Sequence, residues 1–124
     1  MKKKRILIVE DENNLLKVLK EKFVSEGYEV LGAGDGATGL QHALTEKPDL
    51  ILLDIVMPIM DGMTMLKKLR ADDWGKDVPI ILLTNLNSAD KVADALEKKV
   101  YDYLVKADWT LSDVVKKVKE RIGN

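Results

Sequence analysis

The sequence predicts an α/β domain built on a parallel β-sheet, and three observations carry that expectation. Short aliphatic runs such as Ile6-Leu7-Ile8-Val9, Leu50-Ile51-Leu52-Leu53 and Ile80-Ile81-Leu82-Leu83 are too brief for globular helices and suit strands buried on both faces. Between them lie segments with apolar residues at helical spacing. The connections are short, with no linker or low-complexity stretch. Regular alternation of this kind means parallel strands joined by right-handed crossovers, with helices on both faces of the sheet.

The elements follow in order. Residues 6–9 form the first strand, and Glu10 and Asp11 stand at its end. Residues 12–25 place Leu15, Leu16, Leu19 and Phe23 at helical spacing, and Gly27 ends that helix. The second strand spans 28–33 and runs into the glycine-rich Gly32-Ala33-Gly34-Asp35-Gly36, expected as a flexible loop. A helix over 37–46 is expected to turn Ala37, Leu40 and Leu44 inward and to stop at Pro48. The third strand delivers Asp54 at its exit, after which Pro58 and Asp61-Gly62 force a loop and a turn. A helix over 62–71 faces Met65, Leu66 and Leu69 to the core, and residues 72–77 form a polar loop. The fourth strand is expected over 78–83 with Thr84 at its end. Ser88 caps a fourth helix to about residue 99 with Ala89, Val92, Ala93 and Leu96 on one stripe. The fifth strand, 101–105, ends at Lys106. Thr110, with Asp113 three residues on, opens a fifth helix striped by Leu111, Val114, Val115, Val118 and Ile122.

Composition narrows the function. A length of 124 residues fits a single domain, 1–124, with no second domain expected. Twenty basic and 21 acidic residues leave a net charge of −1, which gives no electrostatic ground for direct nucleic-acid or anionic-membrane binding. The absence of cysteine excludes disulfides and thiolate metal sites. No apolar run is long enough to span a bilayer, and the one after the N-terminal Lys-Lys-Lys-Arg cluster is too short for a secretory leader, so a cytoplasmic protein is expected.

In an open parallel sheet, ligands bind outside the carboxyl ends of the strands. The residues expected there are Glu10 and Asp11, Asp54, Thr84 and Lys106. Three acids converging on one edge repel each other unless a cation joins them. An all-oxygen set suits a hard ion such as Mg²⁺.

Glu10-Asp11 after the first strand, Asp54 with Met57-Pro58 and Asp61-Gly62, Thr84, and Tyr103 with Lys106 together make the chain resemble the receiver domain of two-component response regulators, of the stand-alone CheY-like type without an output domain. The resemblance covers the whole chain. It implies a flavodoxin-like sheet of order 2-1-3-4-5 and a phosphoryl group accepted on Asp54 from the phosphohistidine of a sensor histidine kinase or phosphotransfer protein. It implies Mg²⁺ held by Asp11, Asp54 and the backbone carbonyl of Val56, with Glu10 helping through water. Lys106 and Thr84 complete the catalytic set, and Thr84 and Tyr103 act as switch residues. The output is a changed surface on the fourth helix, fifth strand and fifth helix for a downstream protein, in a monomer or a weak phosphorylation-dependent dimer. Such a domain catalyses only its own phosphorylation and slow dephosphorylation.

The chain departs from that pattern at a few places. Ala107 stands where receivers usually carry proline, so a trans bond is expected there. Lys99-Val100-Tyr101 replaces a small segment before Tyr103, and Asn85 replaces a small residue after Thr84. Val56 and Leu86 are apolar and cannot orient a hydrolytic water, which predicts slow self-dephosphorylation.

Other readings are weaker. Gly32-x-Gly34-x-x-Ala37 fits the loose dinucleotide fingerprint, but it follows the second strand rather than the first. A phosphohydrolase of the haloacid-dehalogenase type needs a second aspartate where Val56 stands. A phosphorylation-independent pseudo-receiver remains as an alternative on the strength of Ala107. His42 is read as a surface residue, and Met57, Met60, Met63 and Met65 as packing.

Overall fold

The computed structural model describes residues 3–55, 57, 59–84, 102–105 and 110–123, with residues 84 and 102–105 described by their backbone. The described elements are β1 (Arg5–Val9), α1 (Asn13–Ser25), β2 (Glu29–Ala33), α2 (Gly36–Glu46), β3 (Leu50–Asp54), α3 (Gly62–Arg70), β4 (Ile80–Thr84), β5 (Asp102–Val105) and α4 (Leu111–Ile122). The helix expected over 88–99, with its Ser88 cap, lies outside the described residues.

All strand pairs are parallel, and the sheet order is β2-β1-β3-β4-β5. This is the α/β arrangement that the alternating pattern predicts. Successive side chains of a strand point to opposite faces, so each aliphatic run feeds two cores. Leu7, Val9, Ile51, Leu53, Ile80 and Leu82 pack with Ala43 of α2 and with Met65, Leu66 and Leu69 of α3. Ile6, Ile8, Leu50, Leu52, Ile81 and Leu83 pack with Leu19 and Phe23 of α1 and with Val114, Val115 and Val118 of α4. Every residue of β3 is buried, which is why its sequence lacks the alternation of a half-exposed strand.

The helix ends obey local chemistry. Thr110 and Asp113 form a reciprocal capping box on α4, the Thr110 amide donating to Asp113 Oδ2 at 2.8 Å and the Asp113 amide to Thr110 Oγ1 at 3.2 Å. Gly27, just past α1, sits at φ 96°, a conformation that glycine alone adopts without strain. At the amino end of β1, the Arg5 guanidinium donates to Glu46 Oε1 at 2.7 Å and to the Glu46 carbonyl at 2.8 Å, tying β1 to the end of α2.

Three expectations need correction. Leu40 packs against the core as expected, but Leu44 is 37% exposed, and the buried residues of α2 are Gly36, Gly39 and Ala43. The reason is close approach: a β-carbon at Gly39 would lie 2.8 Å from Val9 Cγ2, so this helix packs by its small residues. The glycine-rich segment is not a flexible loop. Asp35 caps α2, its Oδ1 accepting from the Thr38 amide at 2.8 Å, and the Gly36 amide donates to the Met60 carbonyl at 3.0 Å. The fourth strand starts at Ile80 rather than at 78, because Pro79 has no N–H to offer the ladder and only accepts, from the Ile51 amide at 3.0 Å.

Candidate functional site

Register brings the strand ends together. Val9 lies beside Leu53, so the next residues on those strands, Glu10 and Asp54, leave the sheet at one level. Asp54 pairs with Leu83, and Thr84 pairs with Val105, placing Thr84 at the same edge. Tyr103 sits within β5 with its Cα opposite Leu82. Lys106 and Val56 lie outside the described residues, as do Asn85, Leu86 and Ala107.

The Glu10 amide donates to the Ala33 carbonyl at 2.9 Å, which carries the β1–β2 ladder one residue past Val9 and draws the Glu10 side chain inside. That side chain is fully buried, and its Oε2 accepts from the Glu12 amide at 3.1 Å. Asp54 is 2% exposed, and Asp11 faces solvent. One carboxylate oxygen from each of Glu10, Asp11 and Asp54 lies within 4.8 Å of the other two. Two buried acids and a third beside them are costly in a low-dielectric setting unless positive charge compensates them.

The donor set fits a hard divalent cation. Opposite ligands of an octahedral Mg²⁺ stand about 4.2 Å apart, given its metal–oxygen distances of about 2.0–2.1 Å. The three carboxylates lie close enough together for one such ion, bound directly or through water, to join them.

The loop leaving Asp54 is closed tightly. The Gly62 amide donates to the Ile55 carbonyl at 2.7 Å. A β-carbon at Gly62 would overlap the Asp54 carbonyl oxygen and lie 2.8 Å from Ile55 Cα. Asp61 caps α3 through its Oδ1, which accepts from the Thr64 amide at 2.8 Å. Met57 is buried, and Met60 and Met63 are half-buried against the α2–α3 core, as the packing reading expects. Ile59, in the same loop, is 85% exposed at φ 67°.

Sequence reasoning read Asp61-Gly62 as a turn and missed two of its functions. The signal for the cap was present, since aspartate directly before a helix is a standard N-cap. The need for glycine against Asp54 had no signal in the sequence, because it depends on backbone from another element. His42 is half-buried and borders a shallow surface pocket with Leu31, Gln41, Thr45 and Glu46, so the surface reading is only partly right.

The family described as the response regulator receiver domain matches residues 6–119. The chain belongs to that family. This receiver is 40% identical over 115 residues to the transcriptional regulatory protein PrrA of Mycobacterium tuberculosis, an alignment that covers 93% of the chain and 48% of PrrA. The chain thus spans about half the length of that curated relative. Among solved structures, a CheY-like response regulator receiver domain protein from Methanospirillum hungatei superimposes with a TM-score of 0.89 at 32% identity, covering 97% of this receiver and 94% of that chain. The receiver domain of a sensor histidine kinase from Pseudomonas aeruginosa, with magnesium ion coordinated in its active site cleft, superimposes with a TM-score of 0.87 at 30% identity. That match covers 99% of this receiver and all of the other chain. The function at this level is that of a receiver domain of two-component response regulators, a regulatory module. Among its described residues, no helix is long and apolar enough to cross a membrane.

Proposed function

We propose that this receiver takes a phosphoryl group onto Asp54 from the phosphohistidine of a sensor histidine kinase or phosphotransfer protein, with Mg²⁺ at the acidic cluster. The observation that carries the reading is the convergence of Glu10, Asp11 and Asp54 within 4.8 Å, with Asp54 buried at the exit of the central strand. The related Pseudomonas receiver, with magnesium in its cleft, supports the choice of ion. Mg²⁺ held by Asp11, Asp54 and the Val56 carbonyl, with Glu10 acting through water, would supply the positive charge that lets a carboxylate meet a phosphoryl anion.

The chain's own residues do the rest. An oxygen of the Asp54 carboxylate attacks phosphorus as the phosphorus–nitrogen bond to the donor imidazole breaks, and the imidazole leaves and takes up a proton. Phosphoryl transfer depends on alignment and charge compensation, and the tight Ile55–Gly62 closure fixes the backbone from which Asp54 projects. Lys106 answers the charge of the equatorial oxygens, and Thr84 donates its hydroxyl hydrogen to one of them. Phosphorylation adds nearly two negative charges. Thr84 and Tyr103 pass that change to a docking surface on the 88–99 segment, β5 and α4, where a downstream protein binds. The reading includes a cytoplasmic location and catalysis limited to the domain's own loading and slow unloading.

The test is intact mass after incubation with acetyl phosphate and Mg²⁺, beside an Asp54→Ala control. One added phosphoryl group, absent from the control and absent with a chelator, is the expected result. A phosphoryl group that persists in Asp54→Ala overturns the assignment.

A further inference from the structure

The three glycines between β2 and α2 are not equivalent. A β-carbon at Gly34 would meet nothing within 4 Å, and one at Gly32 would meet the side chains of Lys20 and Leu16. At Gly36 it would overlap the carbonyl oxygen of Met60 and lie 2.8 Å from the carbonyl carbon. Backbone here meets backbone, which cannot swing aside as a long side chain can. The Gly36 amide donates to the same Met60 carbonyl at 3.0 Å, so contact and hydrogen bond fix one geometry.

The connection from Ala33 to Gly36 thereby reaches both strands that supply the acidic cluster. The Ala33 carbonyl accepts from the Glu10 amide at 2.9 Å, and Gly36 holds the loop that leaves Asp54. The connection is itself braced, because the Asp35 carboxylate accepts from the Thr38 amide at 2.8 Å and from the Thr38 hydroxyl at 3.1 Å. One turn further along α2, a β-carbon at Gly39 would crowd Val9, the residue before Glu10. The loop after Asp54 is thus held from α2 at Met60 and from α3 at Ile55, where the Gly62 amide donates at 2.7 Å. Groups that orient a metal ligand from behind set the ion's affinity as well as its place.

We infer that Gly36 is a positioning residue for the acidic cluster, which fixes through Met60 the loop that follows Asp54. The inference deepens the proposed function and rests on the cluster being the Mg²⁺ site. The test compares Gly36→Ala with the parent and with two controls, Gly34→Ala and Gly75→Ala. A β-carbon at Gly75 would overlap the Leu69 carbonyl oxygen, so that control carries a like steric insult before the amino end of β4, away from the cluster. In chelator, exchange of the Gly62 amide, read by NMR, should be about tenfold faster in Gly36→Ala than in either control, as for loss of one supporting hydrogen bond. Calorimetric titration should show Mg²⁺ affinity about tenfold weaker in Gly36→Ala, with both controls at the parent's value. Should Gly36→Ala fail to fold, the parent decides. Coupling between sites is reciprocal, so saturating Mg²⁺ should slow exchange of the Gly36 amide more than that of the Lys47 amide at the other end of α2. Equal Gly62 exchange and equal Mg²⁺ affinity in Gly36→Ala and Gly75→Ala overturn the inference, as does a Gly36 amide indifferent to bound Mg²⁺. A parent that binds no Mg²⁺ overturns the cation reading instead, and the exchange in chelator still decides the positioning of the loop.

Discussion

Gly62 packs against the carbonyl oxygen of Asp54 so closely that a β-carbon at position 62 has no room. The same residue donates its amide to the Ile55 carbonyl at 2.7 Å, so the backbone just past Asp54 is held from the side of α3. Gly62→Ala forces either this bond or the end of β3 to move. Overpacking of this kind costs about 1–3 kcal/mol. The expected outcome is a lower urea midpoint, read by circular dichroism, together with slower phosphoryl uptake from acetyl phosphate. An alanine variant that matches the parent in both would show that the loop is looser than it stands here.

The acidic cluster should make stability depend on divalent cation. An ion that binds only the native state at about a hundredfold excess over its dissociation constant adds about 2.7 kcal/mol. Titration of Mg²⁺ during thermal unfolding should therefore raise the melting temperature of the parent. Asp11→Asn removes one of three neighbouring charges from an exposed position, so in chelator it should stabilise the protein by on the order of 1 kcal/mol at a surface-like dielectric. The same change should blunt the response to Mg²⁺. A full response in Asp11→Asn would remove that residue from the ligand set.

Tyr28 ties the segment between α1 and β2 to the end of α4, its hydroxyl donating to the Gly123 carbonyl at 2.7 Å. Tyr28→Phe keeps the edge-to-face packing on Phe23 and loses only this bond, at about 0.5–1.5 kcal/mol. Burial raises the Tyr28 hydroxyl above its ordinary value of 10.0. A group whose native pKa is raised contributes stability that is intact below its unfolded pKa and is lost as pH rises through the native one. Unfolding monitored above pH 10 should thus show a steeper alkaline loss in the parent than in Tyr28→Phe, with tyrosinate absorbance rising at unfolding.

Lifetime is the fourth expectation. Under the proposed loading of Asp54, the apolar side chains of Val56 and Leu86 offer no polar group to a hydrolytic water. Val56→Asn adds a polar hand there and should shorten the lifetime of the phosphorylated form, by an amount typical of positioning a reacting group, about tenfold or more. Decay of the phosphorylated mass after removal of donor measures it directly.

The sheet was legible because strands buried on both faces leave little choice of residue. Leu50 to Leu53 admits one reading, and Val9 and Leu53 then bring Glu10 and Asp54 side by side through register alone. The inward face of α3 was equally plain, since Met65, Leu66 and Leu69 are large and apolar. The face of α2 was read only in part, through Leu40, because the helix packs mainly through Gly39 and Ala43, and small residues carry no periodic hydrophobic signal. Contacts that join distant backbone, such as Gly36 to Met60 and Gly62 to Asp54, left no mark in the local pattern either. The positive φ of Ile59 runs against the preference of its side chain, so no propensity argument could find it.

The two cores also differ in when they can be made during synthesis. The cluster under α2 and α3 draws its described buried residues from no later than Leu82. The cluster under α1 also needs Val114, Val115 and Val118, so α1 covers that face only in part until the last helix has left the ribosome. A nascent chain halted near residue 84 should therefore have one side of its sheet complete and the other covered by α1 alone. The acidic cluster, built from residues 10, 11 and 54, would already be assembled at that stage, before the C-terminal part of the protein exists.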